Sequence, residues 1–295
     1  MEHSYSKAEI WILASRPKTL FAAFVPIIVG SSLAYAEGQL DIFIALITLI
    51  CTTLLQIGTN FANDLFDHLR GADNKKRIGP LRVMNSGLVT SKQMKKALVL
   101  VFAAAFIFGL VLVDRGGILI LVIGLISIAA AIAYTAGPFP LAYNGLGDIA
   151  SFLFFGVIGT VGTYYLQTGS VTSSALLAAI PVGALVTNII VVNNYRDVEQ
   201  DRIAGKNTLA VKLGETFSRY EYIILITCSF IVPLIMYLYY DFSEWLFLPY
   251  LTFPIAYKLI VMMYNYTGPQ LNKTLELTAK FSALYGLLFA LGFIL

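Results

Sequence analysis

Apolar residues recur along this chain in blocks of about twenty, each long enough as helix to cross a bilayer core of roughly 30 Å. Nine such spans are expected, near residues 20–36, 40–62, 97–113, 116–136, 149–166, 174–195, 220–239, 245–264 and 275–295. The runs are continuous rather than alternating, which argues for helices over barrel strands. The expected fold class is all-α, a polytopic transmembrane helical bundle of about nine spans forming one domain over residues 1–295. Ahead of the first span, "EIWILASRPKTL" reads as an interfacial segment, with Trp11 at headgroup level and Pro17 opening the helix.

Composition agrees: 58% of residues are hydrophobic and only 13% charged, which excludes an ordinary soluble domain. The net charge of +3 says less than where the charges sit. With a cytoplasmic N-terminus and nine alternating spans, every one of the 20 Lys and Arg residues except Arg115 falls on the cytoplasmic side. That asymmetry supports both the orientation and the helix count. Residues 1–19 carry Glu2 and Glu9 and lack an apolar core with a small-residue cleavage site, so no signal peptide is expected. Cys51 and Cys228 lie within spans and, without metal-type spacing, read as small core residues; His3 and His68 carry no ligand pattern.

The polar breaks repeat. "NFANDLFDHLRGAD" closes the second span and "VVNNYRDVEQDRIAGK" the sixth, placing Asp67 and Asp197 130 residues apart. "AYTAGP" closes the fourth and "YNYTGP" the eighth, placing Gly137 and Gly268 131 residues apart. Two unrelated features at nearly one offset predict two four-helix pseudo-repeats, about 16–148 and 149–274, plus one extra helix. Four helices are an even number, so both acidic segments should face the same side.

Gln56, Asn60, Asn63 and Asp67 follow one another at helical spacing and share a stripe, with Asp64 beside it; Asn194, Asp197 and Asp201 repeat the pattern. An ionised group at membrane depth costs roughly 2.5–3.5 kcal/mol on insertion scales, so these stripes should face the bundle interior near its mouth. Clustered carboxylates repel unless a cation lies between them. Their hard oxygens suit Mg2+, which commonly takes one or two carboxylates together with substrate phosphates. Arg70, Lys75, Lys76, Arg77, Arg82, Arg202 and Lys206 flank the acids, as binding a diphosphate would require. The rival function class is an ion or organic-anion transporter, whose charged site would lie nearer the bilayer midplane.

"NDLFDHLRGAD", "GPLRVMNSGLVT", "YTAGPFPLAYNGLGD" and "NNYRDVEQDRIAGKNTLAVKLG" together resemble the UbiA-type intramembrane aromatic prenyltransferases, over a stretch running from "RPKTL" at Arg16 to about Gly214. "RPKTL", "RGAD" and the "YTAGP" loop are most similar to the branch that prenylates 1,4-dihydroxy-2-naphthoate in menaquinone synthesis. The resemblance implies an Mg2+-dependent enzyme, with two ions, that joins a polyprenyl group from polyprenyl diphosphate to an aromatic acceptor inside a bacterial cytoplasmic membrane. Nucleic acid is not an expected partner. By the same resemblance Asn63, Asp64, Asp67, Asp197 and Asp201 hold metal, and Asp67, Asp197, Asp201 and Lys206 carry the catalysis. Asn194, Arg70, Arg82 and Lys206 meet the diphosphate, while Tyr134 and Asp148 lie at the acceptor end. Relatives often end the first motif with an acid where this chain has Gly71, the next acid being Asp73. Other branches of the superfamily, with homogentisate, 4-hydroxybenzoate, haem or a chlorophyll precursor as acceptor, share these motifs.

Overall fold

The computed structural model describes residues 5–71, 79 and 81–295, except the Lys18 side chain. Asp73 and the basic residues Lys75, Lys76 and Arg77 lie outside the described residues. Among the described residues every regular element is helical.

The short helix α1 (Lys7–Ser15) starts from a capping box in which Ser6 and Glu9 satisfy each other's backbone N–H groups. Arg16, in the left-handed region at φ 52°, turns the chain directly into α2 (Pro17–Ala36). Helix α3 (Ile42–Leu69) is capped by the Asp41 side chain and runs seven residues past the expected end of its span. Its last two turns therefore carry Asn63 and Asp67 on helix rather than on a loop.

Ser91–Ala133 is continuous by hydrogen bonding, yet a straight helix of 43 residues would be about 65 Å long, twice the bilayer core. Gly117 breaks it at φ 69° and ψ −161°, a conformation that a residue bearing Cβ adopts only under strain. The two parts, α4 (91–116) and α5 (118–133), fold back on each other. Leu98 and Phe102 near one end of α4 share an apolar cluster with Ile128, Ala131 and Ile132. Leu112 and Ile120 meet in another, with Ile44, Ile47 and Cys51. Among the described residues eight helices are long and apolar enough to span, and this one passes twice, which agrees with about nine spans.

Helix α6 (Gly147–Thr168) has an unexpected middle, with Phe152–Val161 in π-helical geometry. Helix α7 (Ser173–Arg196) leads through Asp197 into the short α8 (Val198–Ile203). Helix α9 (Leu209–Tyr239) starts eleven residues earlier than its expected span and breaks at Gly214. Before α10 (Phe253–Asn265), the stretch Glu244–Thr252, which contains Pro249, is 3-10 helix rather than α. The chain closes with α11 (Leu271–Ile294).

The main core lies among α2, α7, α9 and α11, around the fully buried Tyr222, Phe281, Tyr285 and Phe289. Lipid tails are as apolar as these side chains, so helices in a bilayer associate through close packing and interhelical hydrogen bonds. Both occur here. Tyr222 hydrogen-bonds Thr278 across α9 and α11 at 2.8 Å. Where α6 crosses α7, a Cβ on Gly156 would stand 2.8 Å from the Gly183 Cα. Asn63 and Asp67 lie in the last two turns of α3, and Asn193 and the C-cap residue Asp197 lie at the end of α7.

Candidate functional site

A cavity of 1020 Å³ runs through the bundle, and its wall changes character along its length. The inner floor is apolar, formed by Cys51, Leu112, Ile120 and Leu166. Phe106, Leu110, Leu121, Leu125, Phe154, Phe155 and Ile158 line the middle. Asn63, Asp67, Arg82, Tyr134, Asn193, Asn194, Asp197, Gln200, Asp201 and Lys206 gather at the other end. The π-helical stretch supplies Phe154, Phe155 and Ile158, and π geometry commonly marks functional sites inside helices.

Asp67 is the centre of the polar end. Its Oδ2 lies 2.9 Å from Arg82 Nη1, and its Oδ1 lies 3.2 Å from Lys206 Nζ. Tyr143, on the 3-10 turn Leu141–Tyr143 after α5, donates its hydroxyl to Asp67 Oδ1 at 2.8 Å. Without such partners a carboxylate buried to this depth would cost several kcal/mol. Burial and the Asp67 carboxylate push the Tyr143 phenol above its ordinary value, so it stays a donor. Arg82 also donates to the Asn63 carbonyl at 2.9 Å, and Thr135 donates to Asn63 Oδ1 at 3.1 Å.

Asp197 has a different support. Arg196 Nε and Nη2 grip its two oxygens at 2.8 and 2.6 Å. The same guanidinium donates to Asn193 Oδ1 at 2.9 Å and to Asn272 Oδ1 on α11 at 2.8 Å. Arg196 is thus an anchor beneath the carboxylate, in the bidentate geometry that suits arginine. Asp201 follows one helical turn later, its amide bonded to the Asp197 carbonyl at 2.8 Å. The Lys206 amide in turn bonds the Asp201 carbonyl at 2.8 Å, which fixes the loop carrying Lys206.

Most of the residues expected from sequence come together here, and three of them, Asp64, Arg70 and Asp148, stand off the cavity wall. Asp64 is buried but is not part of the cavity wall, because one residue along a helix is a turn of about 100° away from Asn63. Arg70 is exposed outside the wall; it donates to the Gly137 carbonyl at 2.6 Å and stacks 5.0 Å above the Tyr143 ring. Asp148 lies behind the wall, where Asn194 Nδ2 donates to both its oxygens at 3.4 and 3.3 Å. Asn194, expected to meet the diphosphate, lines the cavity and directs its amide nitrogen at Asp148. Tyr134 lines the wall, with its hydroxyl against Gly147. Asn60, on the same stripe, is structural: it donates to the Ser15 carbonyl and the Thr19 hydroxyl, tying α3 to the α1–α2 junction.

Sequence reasoning passed over Tyr143, Asn193 and Arg196. The signal for Asn193 was available, since the 130-residue offset joining Asp67 to Asp197 also joins Asn63 to Asn193. Tyr143 acts through a contact 76 residues away that no spacing encodes, whereas the grip of Arg196 on its neighbour Asp197 and on Asn193 is local and stood in the sequence unread.

The donor set fits Mg2+. Its wall groups are oxygen donors, and among the described residues no group of three or more His, Cys, Asp or Glu forms a cage able to hold a metal. Mg2+ dehydrates reluctantly and favours few protein carboxylates completed by phosphate oxygens. Asp67 and Asp197, each with lone pairs to spare, match that requirement beside Arg82 and Lys206.

Among the described residues, apolar helices pass around a cavity that carries carboxylates with lysine and arginine partners at one end, which defines a polytopic membrane protein. The chain belongs to the UbiA prenyltransferase family, whose match spans residues 23–284. It is 40% identical to a 1,4-dihydroxy-2-naphthoate octaprenyltransferase of Escherichia coli (strain K12), over 100% of this chain and 98% of that one. It is 38% identical to the protein of the same description in Haemophilus influenzae (strain ATCC 51907 / DSM 11121 / KW20 / Rd), over 98% and 97%. The fold is similar to that of a UbiA homolog from Aeropyrum pernix K1, with a TM-score of 0.71 at 15% identity over 92% of this chain and 97% of that one. It is similar also to a UbiA homolog from Archaeoglobus fulgidus bound to DMAPP and Mg2+, with a TM-score of 0.65 at 14% identity over 95% and 98%.

Proposed function

We propose that this chain transfers a polyprenyl group from polyprenyl diphosphate to 1,4-dihydroxy-2-naphthoate, with release of diphosphate and carbon dioxide, a step of menaquinone biosynthesis. The observation that carries this reading is Asp67 held between Arg82 and Lys206 at the polar end of a long apolar cavity, with Asp197 and Asp201 on the same wall. The two relatives described as naphthoate octaprenyltransferases support the choice of acceptor.

In this reading Asn63, Asp67, Asp197 and Asp201 would hold Mg2+, two ions by the proposal, together with the diphosphate. Bound there, the metal would neutralise diphosphate charge and make it a better leaving group. Lys206 and Arg82 bind diphosphate oxygens and stabilise the charge that builds as the prenyl C1–O bond breaks and its electron pair leaves with the diphosphate. Apolar residues of the middle wall exclude water, which would otherwise capture the allylic cation. Phe154 and Phe155 line the cavity, and aromatic rings there can stabilise positive charge. The ring carbon bearing the carboxylate forms the new C–C bond; the C–CO2 bond then breaks, its electron pair restores the aromatic ring, and charge balances without an outside reactant.

The donor tail, favoured in lipid by about 0.8 kcal/mol per methylene, enters from the bilayer side. Phe106, Leu110 and Leu125, which line the cavity and are exposed, mark that side. The polar end and the N-terminus face the cytoplasm, as the confinement of basic residues to that side favours. The two four-helix units arose from one repeated unit, which accounts for the matching ends of α3 and α7.

The test supplies purified protein with Mg2+, a polyprenyl diphosphate and each of 1,4-dihydroxy-2-naphthoate, 4-hydroxybenzoate and homogentisate, and identifies products by mass. The reading expects a decarboxylated prenyl naphthalenediol. A prenylated 4-hydroxybenzoate or homogentisate with no naphthoate product would overturn the acceptor.

A further inference from the structure

We propose that Tyr143 is a positioning residue of this site, holding the Asp67 carboxylate for metal and carrying Lys206 on its ring for the diphosphate; the inference rests on the prenyl-transfer reading above. Tyr143 is 7% exposed, although it lies on a connecting loop. Its hydroxyl donates to Asp67 Oδ1 at 2.8 Å. Lys206 Nζ stands 4.8 Å and the Arg70 guanidinium 5.0 Å from its ring centroid, both within cation–π range. Its carbonyl accepts the Asn207 amide at 2.9 Å, next to Lys206, and Lys212 Nζ donates to the neighbouring Asn144 carbonyl at 2.7 Å. One residue therefore touches the end of α3 through its side chain and the α8–α9 loop through its backbone. It joins the two acidic segments that lie far apart in sequence.

The geometry separates fixed from movable partners of Asp67. A carboxylate has about four lone-pair positions. Tyr143 and Lys206 meet Oδ1 and Arg82 meets Oδ2. Arg82 is anchored a second time at the Asn63 carbonyl, and Tyr143 is buried in its turn. Lys206, with 15% side-chain exposure and a flexible stem, is the partner able to swing to a phosphate oxygen. When it does, Tyr143 and Arg82 still fix the carboxylate plane, and a position on Oδ1 opens to the metal. The Tyr143 ring keeps the ammonium within reach during that exchange.

The test measures binding as well as turnover. Wild type, Tyr143→Phe and Tyr143→Leu are titrated with Mg2+ in the presence of a non-reactive prenyl S-thiolodiphosphate, by calorimetry in detergent. Donor KM, acceptor KM and kcat are taken separately. Tyr143→Phe, which keeps the ring, should raise the Mg2+ concentration at half-saturation about tenfold, the scale of one hydrogen bond to a charged group, and leave the naphthoate KM unchanged. Tyr143→Leu should additionally raise the donor KM, because the cation–π contact to Lys206 goes. Mg2+ affinity in Tyr143→Phe equal to or tighter than wild type would overturn the proposal. So would a naphthoate KM that moves as much as the Mg2+ requirement, which would mean a general loosening of the site. Wild type that binds Mg2+ and the analogue but makes no naphthoate product defeats the acceptor assignment alone. Wild type that binds neither defeats the prenyl-transfer reading and this inference together.

Discussion

Arg82 and Asp67 form an ion pair, Nη1 to Oδ2 at 2.9 Å, with side chains only 8% and 2% exposed. Breaking such a pair from one side leaves a buried charge, at a cost of about 3 kcal/mol or more. Asp67→Asn should therefore lower the Tm in detergent as well as abolish product formation. The double variant Asp67→Asn with Arg82→Gln should regain most of the lost Tm and none of the activity. Thermal unfolding and product assays on both single variants and the double check this; a double variant no more stable than Asp67→Asn alone would contradict it.

Lys206 is the more exposed partner of Asp67, and its loss leaves Asp67 with Arg82 and Tyr143. Lys206→Met should change the Tm little and raise the KM for polyprenyl diphosphate about tenfold or more, the scale of one charge-assisted hydrogen bond. Lys206→Arg should recover part of that loss, since the charge stays but the stem and fork differ. Steady-state kinetics with the donor varied at saturating acceptor measures it.

The sequence discloses the elements of this fold and much of its site, for one reason: membrane burial imposes an apolar run wherever helix meets lipid, so polar residues inside a run stand out. Asn63, Asp67, Asp197 and Asp201 were legible in this way, as were the separate spans on either side of the reversal at Gly117. Legibility stopped where tertiary packing decides. Whether Asp64 or Asp67 faces the cavity depends on the rotation of α3 in the bundle, because the two lie only about 60° apart around the helix. The π geometry of Phe152–Val161 and the 3-10 entry to α10 leave no periodic trace in residues that are apolar on every side. Tyr143 sits on a loop whose conformation is fixed by partners about 65 to 75 residues away, beyond any local pattern.

The crossing of α6 and α7 depends on two glycines. A Cβ on Gly156 would lie 2.8 Å from the Gly183 Cα and 2.9 Å from the Ala179 carbonyl oxygen, both backbone atoms that cannot step aside. Gly156→Ala should destabilise the protein by about 1–3 kcal/mol, as overpacking does elsewhere. Gly162→Ala, where a Cβ meets nothing within 4 Å, should be neutral or slightly stabilising on the helix scale. Thermal unfolding of both variants in one detergent decides it.

Asp148 lies behind Asn194 and, in this account, acts through it. Asp148→Leu removes the acceptor for Asn194 Nδ2 and frees the amide to flip, so kcat should fall about tenfold. Asp148→Asn still offers an oxygen and should lose less. The ordering of the two kcat values is the check; equal losses would remove Asn194 as the link.

The central claim, a metal-dependent transfer at Asp67 and Asp197, is tested most directly by stoichiometry in proteoliposomes. Diphosphate release and prenylated naphthalene product are measured together for wild type, Asp67→Ala and Asp197→Ala, with Mg2+ and with EDTA. The account predicts about one diphosphate per product in wild type. It predicts that both signals vanish in either variant and on chelation, with the proteins inserted normally. Product formation at the wild-type rate in Asp67→Ala, or movement of substrate across the bilayer without diphosphate release, would contradict it.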